Sequence, residues 1–268
     1  MHDALVAVLL GIVEGLTEFL PVSSTAHLLI AQELLGFHPK GEVFPIVIQF
    51  GAILSVVVVY WQRFWSAAVG LPKSDEARHF ALSIIIAFLP AAVIGAAAHS
   101  FIKNVLFRED IAPMVIAATL ILGGIFILLF ERLSPKPRYF DGDRLPYSKA
   151  LQIGICQVLA IIPGVSRSGA TILGGELLGV ERKAAALFTF YLAVPTMLGA
   201  TVFDIYKNRH ELDAGAGIEI AIGFVVSFVV AYFVVKTFID FIGRYGLKPF
   251  GWYRIAAGFA IIAVLTLR

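Results

Sequence analysis

The sequence predicts an all-α polytopic membrane protein built as an inverted-topology repeat, each half a re-entrant helical hairpin plus three transmembrane helices. Three observations carry that prediction. Of 268 residues, 59% are apolar and only 15% are charged, where an ordinary soluble domain has roughly a quarter charged. Six apolar stretches are long enough to span a bilayer, which takes about 20 residues per helix. Two further stretches are broken by polar, proline-containing turns and match each other at a constant spacing. The mean hydropathy of +0.88 excludes a disordered chain, a nucleic-acid binder and most soluble enzymes. The net charge of +2 gives no field that would gather polyanions. A single cysteine, Cys156, allows no intramolecular disulfide.

In chain order, the N-terminus does not read as a removable signal. Met1-His2-Asp3 has no basic region, and the apolar run behind it carries Glu14 and Glu18. Ala4 to Phe37 is the first broken region, with Glu14, Glu18, Pro21, Ser23, Ser24, Thr25 and His27 in its middle. Spans follow at Phe44 to Trp61, Phe80 to Ala98 and Ala112 to Phe130. The linker Arg132 to Lys149 holds Pro135, Pro137, Gly142 and Pro146. Leu151 to Val180 is the second broken region, interrupted by Pro163, Gly164, Ser166, Arg167, Ser168, Gly169 and Thr171. Three more spans close the chain, at Ala185 to Asp204, Ile218 to Phe238 and Trp252 to Leu267. Trp61, Trp65, Trp252 and Tyr253 stand at span ends as interfacial anchors. Arms of about 15 residues are too short to cross, so each broken region reads as a re-entrant hairpin.

The two hairpins align at an offset of 143. Gly11 pairs with Gly154, Leu16 with Leu159 and Ser23 with Ser166, and Glu33-Leu34-Leu35-Gly36 returns as Glu176-Leu177-Leu178-Gly179. The ungapped alignment from Gly11 to Phe37 has 9 identities in 27 positions. The chain is therefore one membrane domain over residues 1–268, with repeats at approximately 1–131 and 150–268 joined by 132–149. Three crossings per half place the halves in opposite orientations, and such folds put their sites where the breaks meet. Of the Lys and Arg residues, 12 fall on the side away from the N-terminus and 6 on the N-terminal side, with Arg167, Lys236 and Arg254 unassigned. The positive-inside rule then puts both termini outside.

Glu14 and Glu18 are four apart and share a helix face, and Ser24 and His27 are three apart and share another. Pro21 breaks the first helix, and Ser23, Ser24 or Thr25 can cap the next. In the second hairpin Pro163-Gly164 breaks the chain and Ser166-Arg167-Ser168 opens the following helix. Two helix N-termini meeting at depth make an anion site, and Arg167 adds a fork suited to phosphate. Carboxylates, a hydroxyl and an imidazole beside an anion site are the parts of phosphoryl transfer. Ionisable groups within apolar stretches are functional by default, whereas capping alone accounts for hydroxyls at helix starts. Glu33 and Glu176, at the ends of their arms, read as structural, and the pairs Gly11/Gly15 and Gly175/Gly179 as close packing. His2, His38, His79, His99 and His210 lie at or near loops and read as solvated, and Asp141-Gly142-Asp143 reads as a turn.

The run Glu14-Gly15-Leu16-Thr17-Glu18-Phe19-Leu20-Pro21-Val22-Ser23-Ser24-Thr25-Ala26-His27 and the run Pro163-Gly164-Val165-Ser166-Arg167-Ser168-Gly169-Ala170-Thr171 resemble the two signature motifs of the bacterial undecaprenyl-diphosphate phosphatase (bacitracin-resistance protein) family. The resemblance covers essentially the whole chain, including Ala193-Val194-Pro195; Ala26 departs from it, standing where the family usually has glycine. It implies an enzyme of the bacterial inner membrane that removes the terminal phosphate of undecaprenyl diphosphate. That reaction recycles the lipid carrier for peptidoglycan and confers bacitracin resistance. The same resemblance implies a site open to the periplasm and a divalent cation, Mg2+ or Ca2+. It makes Glu14 and Glu18 metal-linked or acid–base carboxylates, Ser24 and His27 the nucleophile and its proton partner, and Arg167 the diphosphate clamp. Ser23, Thr25, Ser166, Ser168 and Thr171 line the phosphate pocket on this reading. Attack by His27 itself, or by a metal-held water, stays open, as does a homodimer.

A lipid-phosphate flippase is the rival, because inverted repeats with broken helices are also a transporter plan. It needs a sealed bilayer to act, whereas phosphate release does not. The topology is checked by a reporter fused after Arg268, expected to read as non-cytoplasmic; a cytoplasmic signal overturns it.

Overall fold

The computed structural model describes residues 2–37, 43–108, 110–133, 135–207 and 217–267. Each half begins with two short helices. The first hairpin is α1 (His2–Thr17) and α2 (Ser24–Leu35). Then come α3 (Val43–Val59), α4 (Trp61–Gly70), α5 (Asp75–Phe101) and α6 (Ala112–Leu133). The second hairpin is α7 (Tyr147–Gln157), a 3-10 turn (Val158–Ile161) and α8 (Arg167–Leu177). The remaining helices are α9 (Arg182–Lys207), α10 (Gly217–Tyr245) and α11 (Lys248–Leu267).

Five of these helices are long and apolar enough to cross a membrane, and α3 with α4 makes a sixth as a pair bent by 74°. The sequence placed the end of that span at Trp61; there the chain turns instead into α4. On α4, Trp61 and Trp65 stack at 5.6 Å with more than half of each side chain exposed, as interfacial aromatics do. The hairpin arms are too short to span, as their sequence implied: α1 has 16 residues, α2 has 12, and α7 and α8 have 11 each.

The hairpins are held by the opposite halves of the chain. α10 lies along both α1 and α3, while α5 lies along both α7 and α9. α6 packs against α11, and α3 against α9. Under the 143 offset each pairing maps onto another or onto itself. Backbone conformation follows the same offset: Ser23 and Ser166 have φ of 72° and 75°, and Gly36 and Gly179 have φ of 61° and 84°. The glycines end their hairpins in a left-handed conformation that costs little without a Cβ. Gly11 and Gly15 have a different reason, close approach: a Cβ on Gly15 would sit 2.7 Å from the Ser227 carbonyl oxygen of α10. Of the Gly175/Gly179 pair, only Gly175 is a packing glycine, facing Ala185; the reason for Gly179 is its φ. The largest apolar core lies against the first turn and joins Phe19 to Ile53, Phe130, Ile172, Phe190 and Phe238.

The linker is tightly fastened. Arg138 and Tyr139 donate backbone N–H groups to the Gly179 carbonyl, and Glu181 N–H donates to Tyr139 O at 2.7 Å. Arg63 pairs with Asp143 at 2.6 Å. Asp141 caps a 3-10 turn through Asp143 N–H, so Asp141-Gly142-Asp143 is a turn, as its sequence suggested. His79 differs from expectation: it is half-buried, donates to the Leu145 carbonyl at 2.9 Å and stacks on Tyr147. His38 and His210, and the side chains of His2 and His99, lie outside the described residues.

Glu176 is structural, receiving both Nε and Nη2 of Arg182, which also reaches Glu131 at 3.0 Å. Replacing Gly15 with Leu is expected to lower stability by about 1–3 kcal/mol through overpacking against α10. Gly217→Ala, at a position with open space around it, is expected to stay within about 0.5 kcal/mol of wild type; thermal unfolding in detergent checks both.

Candidate active site

Both turns are built the same way. A serine with positive φ precedes each second arm and caps it: Ser23 Oγ accepts from Ala26 N–H at 3.4 Å, and Ser166 Oγ accepts from Gly169 N–H at 3.1 Å. Non-glycine residues adopt this conformation only where the surroundings enforce it. The two N-termini face one cavity of about 490 Å3, lined on its polar side by Glu18, Ser23, Ser24, Thr25, Ser166 and Arg167. Its apolar wall comes from small residues of α5 and α9, including Ala92, Gly95, Gly199 and Ala200, and it extends to Phe107 and Phe203.

Within it, Ser24 donates its hydroxyl to Glu18 Oε2, and Arg167 Nη2 pairs with Glu18 Oε1 at 3.1 Å. Glu18 thus joins the two hairpins and faces both a hydroxyl and a guanidinium. Arg167 is seated further by Nη1 donating to the Thr189 carbonyl at 3.2 Å and by Met197 Sδ at 3.4 Å. Its Nε is buried without a partner. Glu14 lies beside Glu18 one turn back, fully buried, and its carboxyl faces the Glu18 carboxyl with no N–H or hydroxyl donor on either oxygen. A buried carboxylate with empty lone pairs next to a second carboxylate is a hard-oxygen donor set. The pair therefore fits Mg2+ or Ca2+ through oxygen ligands. Among the described residues no cluster of three or more His, Cys, Asp and Glu surrounds a metal position, so water and phosphate oxygens would complete the shell.

Three expected site residues are placed elsewhere. His27 is not beside Ser24: Nδ1–H donates to Ser23 O at 2.7 Å, Nε2 accepts the Tyr253 hydroxyl at 2.6 Å, and the two rings stack. Three residues on a helix bring two Cβ atoms to one face, but the Ser23 carbonyl draws the ring away from the cavity. The acceptor at Ser24 is Glu18. Ser168 and Thr171 also lie off the cavity wall. Ser168 Oγ donates to the Leu20 carbonyl of the other hairpin at 2.8 Å. Thr171 Oγ1 bonds back to Arg167 O at 2.9 Å and receives Thr189 Oγ1. Ser168 fastens the two turns together, and Thr171 ties α8 to α9.

The largest contribution missed from the sequence is Arg254 of α11, which is 1% exposed. Nη1 donates to Pro21 O and Val165 O, each at 3.0 Å, and Nη2 donates to Thr119 O at 3.0 Å and Gly164 O at 2.9 Å. One side chain thereby satisfies carbonyls of both turns. Thr119 Oγ1 adds a bond to Pro163 O at 2.7 Å. The available signal was a lone arginine inside the apolar stretch after Trp252. Arg254→Met is expected to cost about 3–5 kcal/mol, because four buried carbonyls lose their donor; thermal unfolding in detergent reads the loss.

Comparison with known proteins identifies the family. Residues 7–260 match the family described as bacitracin resistance protein BacA. Undecaprenyl-diphosphatase 1 of Agrobacterium fabrum is 52% identical over 262 residues, 97% of each chain. Undecaprenyl-diphosphatase 1 of Mesorhizobium japonicum is 50% identical over 261 residues, 97% of this chain and 96% of its own. The undecaprenyl-diphosphatase of Paracoccus denitrificans is 48% identical over 264 residues, 98% of each chain. With the family matched along nearly its full length, and the two fused turns supplying one shared acidic and cationic site, the chain belongs to the bacitracin resistance protein BacA family.

Proposed function

We propose that this chain is an integral-membrane phosphatase that hydrolyses undecaprenyl diphosphate to undecaprenyl phosphate and inorganic phosphate. The observation that carries the reading is the hydrogen-bonded chain Ser24–Glu18–Arg167, set where two helix N-termini share one cavity. The relatives' names give the substrate, and the long apolar wall beside the polar end suits a polyprenyl chain.

In the reaction, Ser24 Oγ attacks the terminal phosphorus as Glu18 accepts the hydroxyl proton. The bond from that phosphorus to the bridging oxygen breaks, and undecaprenyl phosphate leaves. Water then hydrolyses the phosphoserine and releases inorganic phosphate, with the proton on Glu18 returning to Ser24. Arg167 and the first-turn N–H groups of α2 and α8 stabilise charge on the equatorial oxygens. Arg167 also orients Glu18 as an acceptor. A divalent cation held by Glu14 and Glu18 would neutralise phosphate charge when bound. Release of the lipid monophosphate supports a role in carrier recycling for peptidoglycan synthesis and in bacitracin resistance.

We place the protein in the bacterial inner membrane with the site open to the periplasm. The cation bias of the loops supports this. So does the course of the cavity, which runs from the turns toward Phe107, just past α5, and Phe203, near the end of α9, both on the N-terminal side.

Purified protein in detergent, with no sealed compartment, is expected to release phosphate from undecaprenyl diphosphate. Glu18→Gln is expected to lower the rate by about 100-fold or more, a chelator to suppress it, and trapped phosphate to lie on Ser24. No release by the wild type overturns the phosphatase reading, and phosphate on His27 overturns the assignment of Ser24.

A further inference from the structure

Gln157 ends α7, where the first arm of the second hairpin tightens into the 3-10 turn. At the offset of 143 it is the counterpart of Glu14. It is 2% exposed and lines the cavity. Its Oε1 accepts the Thr196 hydroxyl at 3.2 Å, a proton that Thr196 shares with the Leu192 carbonyl at 2.7 Å. Nε2 is buried without a partner. An amide nitrogen carries two donors, and leaving both unpaired away from water is costly unless something in the cavity accepts them. Thr196 precedes Met197, whose sulfur touches Arg167, so adjacent residues of α9 seat Gln157 and the arginine together.

The chemistry of the two counterpart positions is complementary. Glu14 offers acceptors and suits a cation; Gln157 offers donors and suits an anion. An amide supplies those donors without a charge that would pair with Glu18 and displace Arg167. We propose that Gln157 donates hydrogen bonds to a phosphate oxygen of the bound diphosphate, with Thr196 holding the amide in register. The assignment rests on the phosphatase reading above and adds a substrate-binding residue to it.

The test compares wild type, Gln157→Leu, Gln157→Glu and Thr196→Val in detergent. It measures steady-state hydrolysis of undecaprenyl diphosphate and product inhibition by inorganic phosphate. Gln157→Leu is expected to lower kcat/KM by roughly 10–100-fold and to weaken phosphate inhibition by a similar factor. Gln157→Glu is expected to fall lower still, since a carboxylate donates nothing and repels phosphate. Thr196→Val is expected to lose less than about tenfold. Wild-type kinetics in Gln157→Glu overturn the proposal, because the cavity then needs no donor there. So does an active Gln157→Leu with unchanged phosphate inhibition. If Gln157→Leu fails to fold, the near-isosteric Gln157→Glu and Thr196→Val decide. A wild type that releases no phosphate sinks the phosphatase reading and this proposal together, whereas an active wild type equalled by Gln157→Leu sinks this proposal alone.

Discussion

Two helices broken inside a bilayer leave carbonyl groups that no lipid can satisfy, and the Arg254 guanidinium answers three of them while also bonding the Thr119 carbonyl of α6. Its planar fork reaches Pro21 in the first turn, Gly164 and Val165 in the second, and Thr119 on α6. Lysine, with a single nitrogen on a flexible stem, cannot span that set. The positions of Ser23 and Ser166, and hence of both helix N-termini, follow from turns fixed in this way. Ser168 bonding to Leu20 and Thr119 bonding to Pro163 tighten the same junction. The cavity is possible only because irregular backbone at that depth is satisfied by protein on its far side.

The electrostatics of the site follow from the same economy. Two carboxylates and one guanidinium meet in a space shielded from water, and Glu18 is the member shared by all its neighbours. It accepts from Ser24 with one oxygen and pairs with Arg167 through the other. Glu14 is left without a donor, an arrangement that is costly unless a cation or a proton occupies it. Acidic oxygens and a guanidinium thus stand side by side at the ends of two helices.

Much of this was legible in the sequence, for identifiable reasons. Short apolar arms around Pro21 and Pro163 announced re-entrant hairpins, and scarce charges at depth announced Glu14, Glu18 and Arg167. Helix spacing placed Ser24 on the correct arm, but it could not show where the imidazole of His27 would turn, since that depends on the Ser23 carbonyl and on Tyr253, 226 residues away. Ser168 and Thr171 look like pocket hydroxyls in a motif, yet their partners are a carbonyl of the other hairpin and a threonine of α9. Arg254 stood in plain view as an ion in an apolar stretch, but its four acceptors belong to three separate segments. The bend at Tyr60 has no proline or glycine to mark it.

The interleaving of the halves constrains how the chain can be made. Pro21 and Arg254 are 233 residues apart, so the first turn to leave the ribosome waits for the last helix before its carbonyl is answered. α1 likewise waits for α10 to cover Gly11 and Gly15. During synthesis the first hairpin must therefore be sheltered, by the insertion machinery or by water at the membrane surface, with Glu14 and Glu18 not yet enclosed. Assembly is completed from the C-terminal end, and a chain truncated before α11 would hold every motif residue without the side chain that locks the two turns together.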